Sequence, residues 1–245
     1  MESAATDESF INDVITRVSA YDVRRCDPYP ETSKDFKRAA VLLPLRVHNG
    51  KVDILLTKRS LGLRSHPGSV SFPGGKRDES DSSDVETALR EAEEEIGLPQ
   101  EKVQVIGVLT RGITLPSTVV YPVVGLIPHD FEPAPNPTEV EFAFFMPLKD
   151  FIEADKISYS IMDIYGKPFI SRSVHYEGNG RAANVWGFTA NFCTLIAKIV
   201  FQEKSFIQVF YDSNGDGGGK ELDCELKEYF EHMSSVHALK LKSKL

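Results

Sequence analysis

Between Phe72 and Leu98 the chain runs FPGGKRDESDSSDVETALREAEEEIGL, and this stretch constrains the fold more than any other. It opens on a Pro73-Gly74-Gly75 turn, crosses a polar loop and takes on helical spacing by about Ser83. Gly97 with Pro99 just beyond it predicts the helix stop, because glycine enters the left-handed cap region freely and proline cannot continue a helix. At about 100° per residue with Glu91 at zero, Glu94 falls at about −60° and Glu95 at about +40°. Ala88, Ala92, Val85, Ile96 and Leu89 occupy roughly +60° to +160°. One stripe is built for burial, and the face beside it carries three carboxylates.

A solvated helix face accounts for Glu86 and Glu93, which point away from the cluster. It accounts less well for Glu91, Glu94 and Glu95. Like charges at these spacings repel by a few tenths of a kcal/mol per pair, and the helix holds no lysine to offset them. A hard divalent cation would offset them. Oxygen ligands on a rigid helix suit Mg²⁺ or Mn²⁺, which bind through a few carboxylates, keep several waters and take up substrate phosphate oxygens. Arg90 precedes Glu91 and lies one turn before Glu94, where it can orient a carboxylate.

The run Arg90-Glu91-Ala92-Glu93-Glu94-Glu95-Ile96-Gly97-Leu98 resembles the second half of the Nudix box, REUXEEXGU with U aliphatic, at every fixed position. The first half departs from the pattern. Gly75 lies one residue too far from Arg90, and Ser82 stands where the box has its first glutamate; Asp81 or Asp78 substitutes if the loop carries a one-residue insertion. Upstream, Leu55-Leu56-Thr57-Lys58-Arg59-Ser60, Arg64, Gly68 and Phe72-Pro73-Gly74-Gly75 resemble the extra signature of the coenzyme A diphosphatase branch of that family. The two motifs together span residues 55 to 98.

The resemblance implies an α/β protein, an α/β/α sandwich around a mixed β-sheet, that cleaves the diphosphate of coenzyme A, its esters or oxidised forms with Mg²⁺ or Mn²⁺. On that reading Glu91 and Glu95, with Glu94 close by, hold the metal. The Pro73-Gly74-Gly75 turn lets backbone approach the diphosphate, and Arg59, Arg64 and Lys76 are the counter-charges that bind substrate beside Gly74 and Gly75. Arg90 orients a carboxylate, and the general base is Glu94 or Glu139. A Nudix pyrophosphatase for NADH or ADP-ribose, and a non-catalytic binding module of the same fold, are the alternatives.

The rest of the chain sets limits on this reading. At 245 residues, 41% of them hydrophobic, the chain is long enough for one large domain with a real core. A net charge of −8 argues against nucleic-acid partners, which need a basic footprint. MESAATDESF has no basic and apolar leader pattern, and no run reaches the ~20 apolar residues of a membrane span. Cys26, Cys193 and Cys224 have neither metal-ligand spacing nor the even count of a disulfide framework, which fits a reducing compartment. The chain closes on Ser243-Lys244-Leu245, a tripeptide read by an import receptor as a peroxisomal matrix address.

Residues 1–34 read as a helix over 6–24 and a connector, 35–203 as the catalytic domain, and 204–245 as an extension. Ala39 to Val47 and Val52 to Thr57 read as strands around Asn49-Gly50, a strong hairpin signal. Val103 to Thr110, Val119 to Ile127 and Glu141 to Pro147 are strand-like, with a proline-rich loop over 131–138. A helix is expected from Thr189 to Glu203, entered by Trp186 as a core anchor; Trp186-Gly187-Phe188-Thr189-Ala190 is similar to the WGxTA segment of coenzyme A diphosphatases, which implies a structural role with a contact to the cleft as a further expectation. Asp212 to Gly217 with Asp223 mimics a calcium loop, and a turn between a strand over 206–211 and a helix from Glu221 explains it better.

Overall fold

The computed structural model describes residues 2–25, 36–114, 118–164 and 167–203. The expected connector core at 26–35, the loop at Asp212, the strand over 206–211 and the Ser243-Lys244-Leu245 ending lie outside them. Helix α1 (Glu2–Ser19) is followed by strands β1 (Lys37–His48), β2 (Lys51–Arg59), β3 (Val70–Ser71) and β4 (Gly74–Lys76). Helix α2 (Asp84–Ile96) leads to β5 (Gln104–Val108), β6 (Gly112–Thr114), β7 (Thr118–Leu126) and β8 (Val140–Pro147). Strands β9 (Ile157–Ile164), β10 (Lys167–Gly178) and β11 (Arg181–Trp186) precede helix α3 (Gly187–Phe201). Helix α1 begins and ends earlier than the spacing predicts, with Phe10, Ile11, Val14, Ile15 and Val18 on its inner face.

Strand β1 is the axis of a mixed sheet. Its sequence KRAAVLLPLRVH is apolar on both faces because both are covered. Ala40 and Leu42 point to α2, whereas Leu43, Leu45 and Val47 join the core under α1 and α3. One edge pairs in parallel with β7 from Lys37↔Thr118 to Leu45↔Leu126. The other edge is shared between two partners: β2 takes Leu45 to His48, and β4 takes Ala39 to Val41. Strand β2 therefore diverges from β1, pairs with β3 at Thr57↔Ser71 and Lys58↔Val70, and lies along β8 on its far side. The segment from β3 through Pro73 to β4 fills the wedge.

Asn49 (φ 50°) and Gly50 (φ 70°) form the expected two-residue hairpin turn. Asp7 of α1 accepts from both their amides at 2.9 and 2.8 Å. Arg17 donates to the Val200 carbonyl at 2.6 Å and joins α1 to the end of α3. The N-terminal helix thus lies on the sheet face opposite α2 and does not cover the acidic helix.

A three-stranded antiparallel sheet, β11-β10-β9, stands in addition to the strands expected from the sequence. Its buried side rests on the α3 core through Val174, Ala183 and Val185, and Tyr176 stacks on Phe144 at 4.2 Å between ring centres. Trp186 is not the core anchor expected. Along β11, Ala183 and Val185 point inward, so period-2 alternation turns Trp186 outward, where it is 48% exposed. No described helix is long and apolar enough to cross a membrane.

Candidate active site

The acidic helix forms because its caps and its stripe agree. Ser83 caps α2 by accepting from the Glu86 amide at 3.1 Å. Glu86 reaches back to the Ser82 amide at 2.6 Å, so Ser82 serves the helix start. Gly97 closes the other end in the left-handed region, φ 67°. Ala88, Ala92 and Ile96 pack on Ala40, Leu42, Leu55 and Val123. Arg38 of β1 grips Asp84 in a two-pronged pair at 2.7 and 2.5 Å, which fixes the rotation of α2 on the sheet.

That rotation drives Glu91 and Glu95 into the wedge between β1 and β2. Glu95 has a side chain 3% exposed and accepts from the Gly74 amide at 3.1 Å. Burial pushes its carboxyl up to about 8, against the opposing pull of the Gly74 amide and Arg59, with Glu91 and Glu139 adding repulsion. Glu91 is raised as well, by burial first and by the charges of Glu94 and Glu139, while Arg90 pulls it down. Glu94 is 56% exposed and ion-paired to Arg90 at 3.2 Å. The two glycines have different duties. A side chain on Gly74 would strike the Ala40 carbonyl at 2.4 Å, and its φ is +152°. A Cβ on Gly75 would lie 2.4 Å from the Glu91 carboxylate, so that carboxylate occupies the space a side chain would need.

Arg90 is the hub of the outer ring. It donates to Asp81 through Nε at 3.0 Å and Nη2 at 3.1 Å. It also donates to Glu91 Oε1 at 3.2 Å, Glu94 Oε2 at 3.2 Å and the Lys76 carbonyl at 3.3 Å. Asp81 is buried, and Oδ2 also receives Thr87 Oγ1 at 2.8 Å and the Asp78 amide at 2.9 Å. The Arg90 hydrogen bonds, opposed by burial, hold its carboxyl well below the usual carboxylate range. Of the acids left open by the sequence, Asp81 is the one that meets Arg90. Asp78 is 67% exposed and 3.8 Å from it.

Glu139 reaches the same place from a different segment. The loop over 131–139 is clipped onto α2 where Ala134 and Asn136 donate to the carbonyls of Ile96 and Glu95, each at 2.9 Å. The Ser60 amide then donates to the Glu139 carbonyl at 2.8 Å. Glu139 is therefore fixed between the end of α2 and the end of β2, close enough for its charge to act on both Glu91 and Glu95.

The basic residues separate. Arg59 enters the cleft, Nη1 3.8 Å from Glu95 Oε1, and its Nε is buried with no hydrogen-bond partner. Lys76 gives its carbonyl to Arg90 while its side chain is exposed. Arg64 is exposed on the loop between β2 and β3, a loop tied off by Arg59 N to Ser69 O at 2.9 Å and Gly68 N to Arg59 O at 3.2 Å. No three His, Cys, Asp or Glu side chains among the described residues converge tightly enough to hold a metal ion by themselves. Glu91 and Glu95 fit a hard cation of the Mg²⁺ kind, which takes one or two carboxylates and completes its shell with water and substrate phosphate.

Residues 36–163 match the NUDIX domain. The chain belongs to the Nudix family. It is similar to the peroxisomal coenzyme A diphosphatase NUDT7 of Mus musculus, 35% identical over 175 residues, covering 71% of this chain and 74% of that protein. It is similar also to the uncharacterized Nudix hydrolase NudL of Photorhabdus laumondii, 37% identical over 75% of this chain and 95% of that one. Nudix hydrolase 15, mitochondrial, of Arabidopsis thaliana is 34% identical over 82% of this chain and 72% of its own length. The Nudix chain thus brings Glu91, Glu95, Glu139, Gly74, Gly75 and Arg59 to one cleft. Arg90 and Glu94 stand at its rim, while Arg64 and the Lys76 side chain face solvent.

Proposed function

We propose that this Nudix hydrolase cleaves the diphosphate bond of coenzyme A, its esters or oxidised forms, to 3′,5′-ADP and 4′-phosphopantetheine or its acyl derivative. The observation that carries the reading is Arg59. It belongs to the signature upstream of the Nudix box, faces Glu95 at 3.8 Å, and keeps a buried Nε without an acceptor. An unmet buried donor costs about 1–3 kcal/mol, and the partly exposed guanidinium that carries it is the chemical complement of a diphosphate. The similarity to the mouse protein named a coenzyme A diphosphatase supports the same substrate.

On this reading Arg59 binds the diphosphate from the β2 side and the Gly74-Gly75 backbone lies under it. Glu91 and Glu95 hold Mg²⁺ or Mn²⁺. The bound cation supplies charge neutralisation of the diphosphate. Arg90, held by Asp81, keeps Glu91 turned toward the cleft. Glu139 takes the proton of the attacking water, because it faces the cleft without an ion-pair partner among the described residues. Glu94 points to solvent and is occupied by Arg90, so it serves the rim.

Product analysis by mass spectrometry tests the reading, with coenzyme A, NADH and ADP-ribose incubated in parallel with Mg²⁺ and a Glu95→Gln control. Release of 3′,5′-ADP and phosphopantetheine, lost in the variant, is the expected result. Faster cleavage of NADH or ADP-ribose sinks the coenzyme A reading and keeps the Nudix chemistry. The absence of any turnover favours a binding module. Peroxisomal import through Ser243-Lys244-Leu245 is a separate proposal; a reporter fused upstream of the tripeptide that stays cytosolic in a cell with peroxisomes refutes it.

A further inference from the structure

Trp186 is the chain's only tryptophan, and nothing in its local structure calls for an indole. It pairs across the ladder with Ser173 on the outward face of the small sheet and is 48% exposed. It stands at the N-cap of α3, a position that favours Ser, Thr, Asp or Asn because their oxygens accept from the first turn. Trp186 makes no such bond. Capping is not served, and about half of the residue is left open to solvent. The junction is nevertheless held firmly against the strand that feeds the cleft. Strand β11 lies beside β3, and Thr189 Oγ1, three residues on, donates to the Val70 carbonyl at 3.0 Å.

From Val70 the chain runs through Phe72 and Pro73 to Gly74, whose amide holds Glu95. Val70 also pairs with Lys58, the neighbour of Arg59, so the foot of α3 is tied to the end of β2 that carries Arg59, beside which a long dinucleotide-like substrate would extend. Indole faces stack on nucleobases. We propose that Trp186 is the surface on which the adenine base of the substrate stacks, setting affinity rather than the chemical step. The inference rests on the proposed reading only in requiring a substrate with an adenosine end.

Because the chain has a single tryptophan, its emission reports on this one site. The intact protein is titrated with 5′-AMP, 3′,5′-ADP and 4′-phosphopantetheine, exciting at the red edge of indole absorption, with calorimetry on the same samples. Saturable quenching by the two adenine nucleotides and none by 4′-phosphopantetheine is the expected result. With coenzyme A, Trp186→Ala raises KM about tenfold with kcat within about twofold, and Trp186→Phe restores most of the affinity. Adenine nucleotides that bind by calorimetry without altering the emission overturn the inference. So does quenching by 4′-phosphopantetheine alone, failure of every adenine nucleotide to bind, or an unchanged KM in Trp186→Ala. If ADP-ribose or NADH is cleaved in place of coenzyme A while 5′-AMP still quenches, the stacking role stands and only the substrate reading falls.

Discussion

Replacing Asp81 by alanine should cost the protein about 3 kcal/mol of stability and most of its activity. The Asp81 side chain is 2% exposed and receives four hydrogen bonds: two from Arg90, at 3.0 and 3.1 Å, one from Thr87 and one from the Asp78 amide. Breaking a buried charge pair from one side costs about 3–5 kcal/mol. The low end applies here, because Thr87 retains the Ser83 carbonyl at 3.2 Å and Arg90 retains Glu91 and Glu94. In a chain of this size that is about 6–12 °C of melting temperature. Asp81→Asn should be nearly as harmful, since both oxygens accept from Arg90 and whichever becomes the amide N–H₂ faces a donor while the charge of the pair is lost.

Denaturant titration and thermal melting measure the loss, and hydrolysis by the same preparations measures the effect on Glu91. Asp78→Ala is the internal control. That carboxylate is 67% exposed and 3.8 Å from Arg90, so its removal should stay within about 0.5 kcal/mol. The pH dependence has a definite sign. The folded carboxyl is held below its ordinary 3.8, so its contribution is full above that value and is lost as the pH falls toward the folded pKa. The gap between parent and Asp81→Asn should therefore be constant from neutrality to about pH 4 and close only in stronger acid. An Asp81→Ala protein that melts with the parent, or an Asp78→Ala protein that loses as much, refutes the assignment of Asp81 as the acid behind Arg90.

Gly75→Ala should lower kcat/KM about a hundredfold with little loss of stability, because the new methyl lands 2.4 Å from the Glu91 carboxylate; unchanged kinetics would show that Glu91 works from another position. Glu139→Gln should lower kcat about a hundredfold or more, whereas Glu94→Gln should stay within about tenfold; the reverse order in steady-state kinetics would move the proton-accepting role to Glu94. Chelation by EDTA should abolish hydrolysis while leaving the melting curve within about 2 °C, since the carboxylates are held by Gly74, Arg59 and Arg90 without a metal. Restoration by Mg²⁺ or Mn²⁺ completes that measurement, and full activity in EDTA refutes the cation site.

The acidic helix was legible because everything that forms it is local: Ser83 and Gly97 at the caps, alanines at the buried positions, carboxylates on one face. The β1–β2 hairpin was legible for the same reason, through Asn49-Gly50. Asp81 was not. Spacing put Ser82 at the place of the acid and left Asp81 and Asp78 as candidates, and only packing separates a buried Asp81 from an exposed Asp78, while Ser82 turns back to Glu86. The small sheet carries one local signal, since Asn179 (φ 52°) and Gly180 (φ 68°) repeat the hairpin pair of Asn49 and Gly50. Trp186 departs from the expectation that an aromatic residue entering a helix makes its first core contact. It belongs to a strand, and strand parity turns it outward.

The cleft itself could not be read from any one segment, because it is a consequence of sheet topology. Strand β1 gives its first half to β4 and its second half to β2, so the backbone must part between Val41 and Leu45, and the Pro73 carbonyl fills the gap by accepting from the Leu42 amide at 2.8 Å. The glycine turn and the acidic helix are locked together there, through Gly74 to Glu95 and Gly75 to Glu91. Arg64 and the rest of the loop over 60–69 hang from the ends of β2 and β3 instead, tied only at their base. At the foot of that loop the Ser60 amide donates to the Glu139 carbonyl, which joins the loop to the segment clipped onto α2. A change at Gly75 or Asp81 acts on Glu91 itself, through the space beside its carboxylate and through the Arg90 that Asp81 holds.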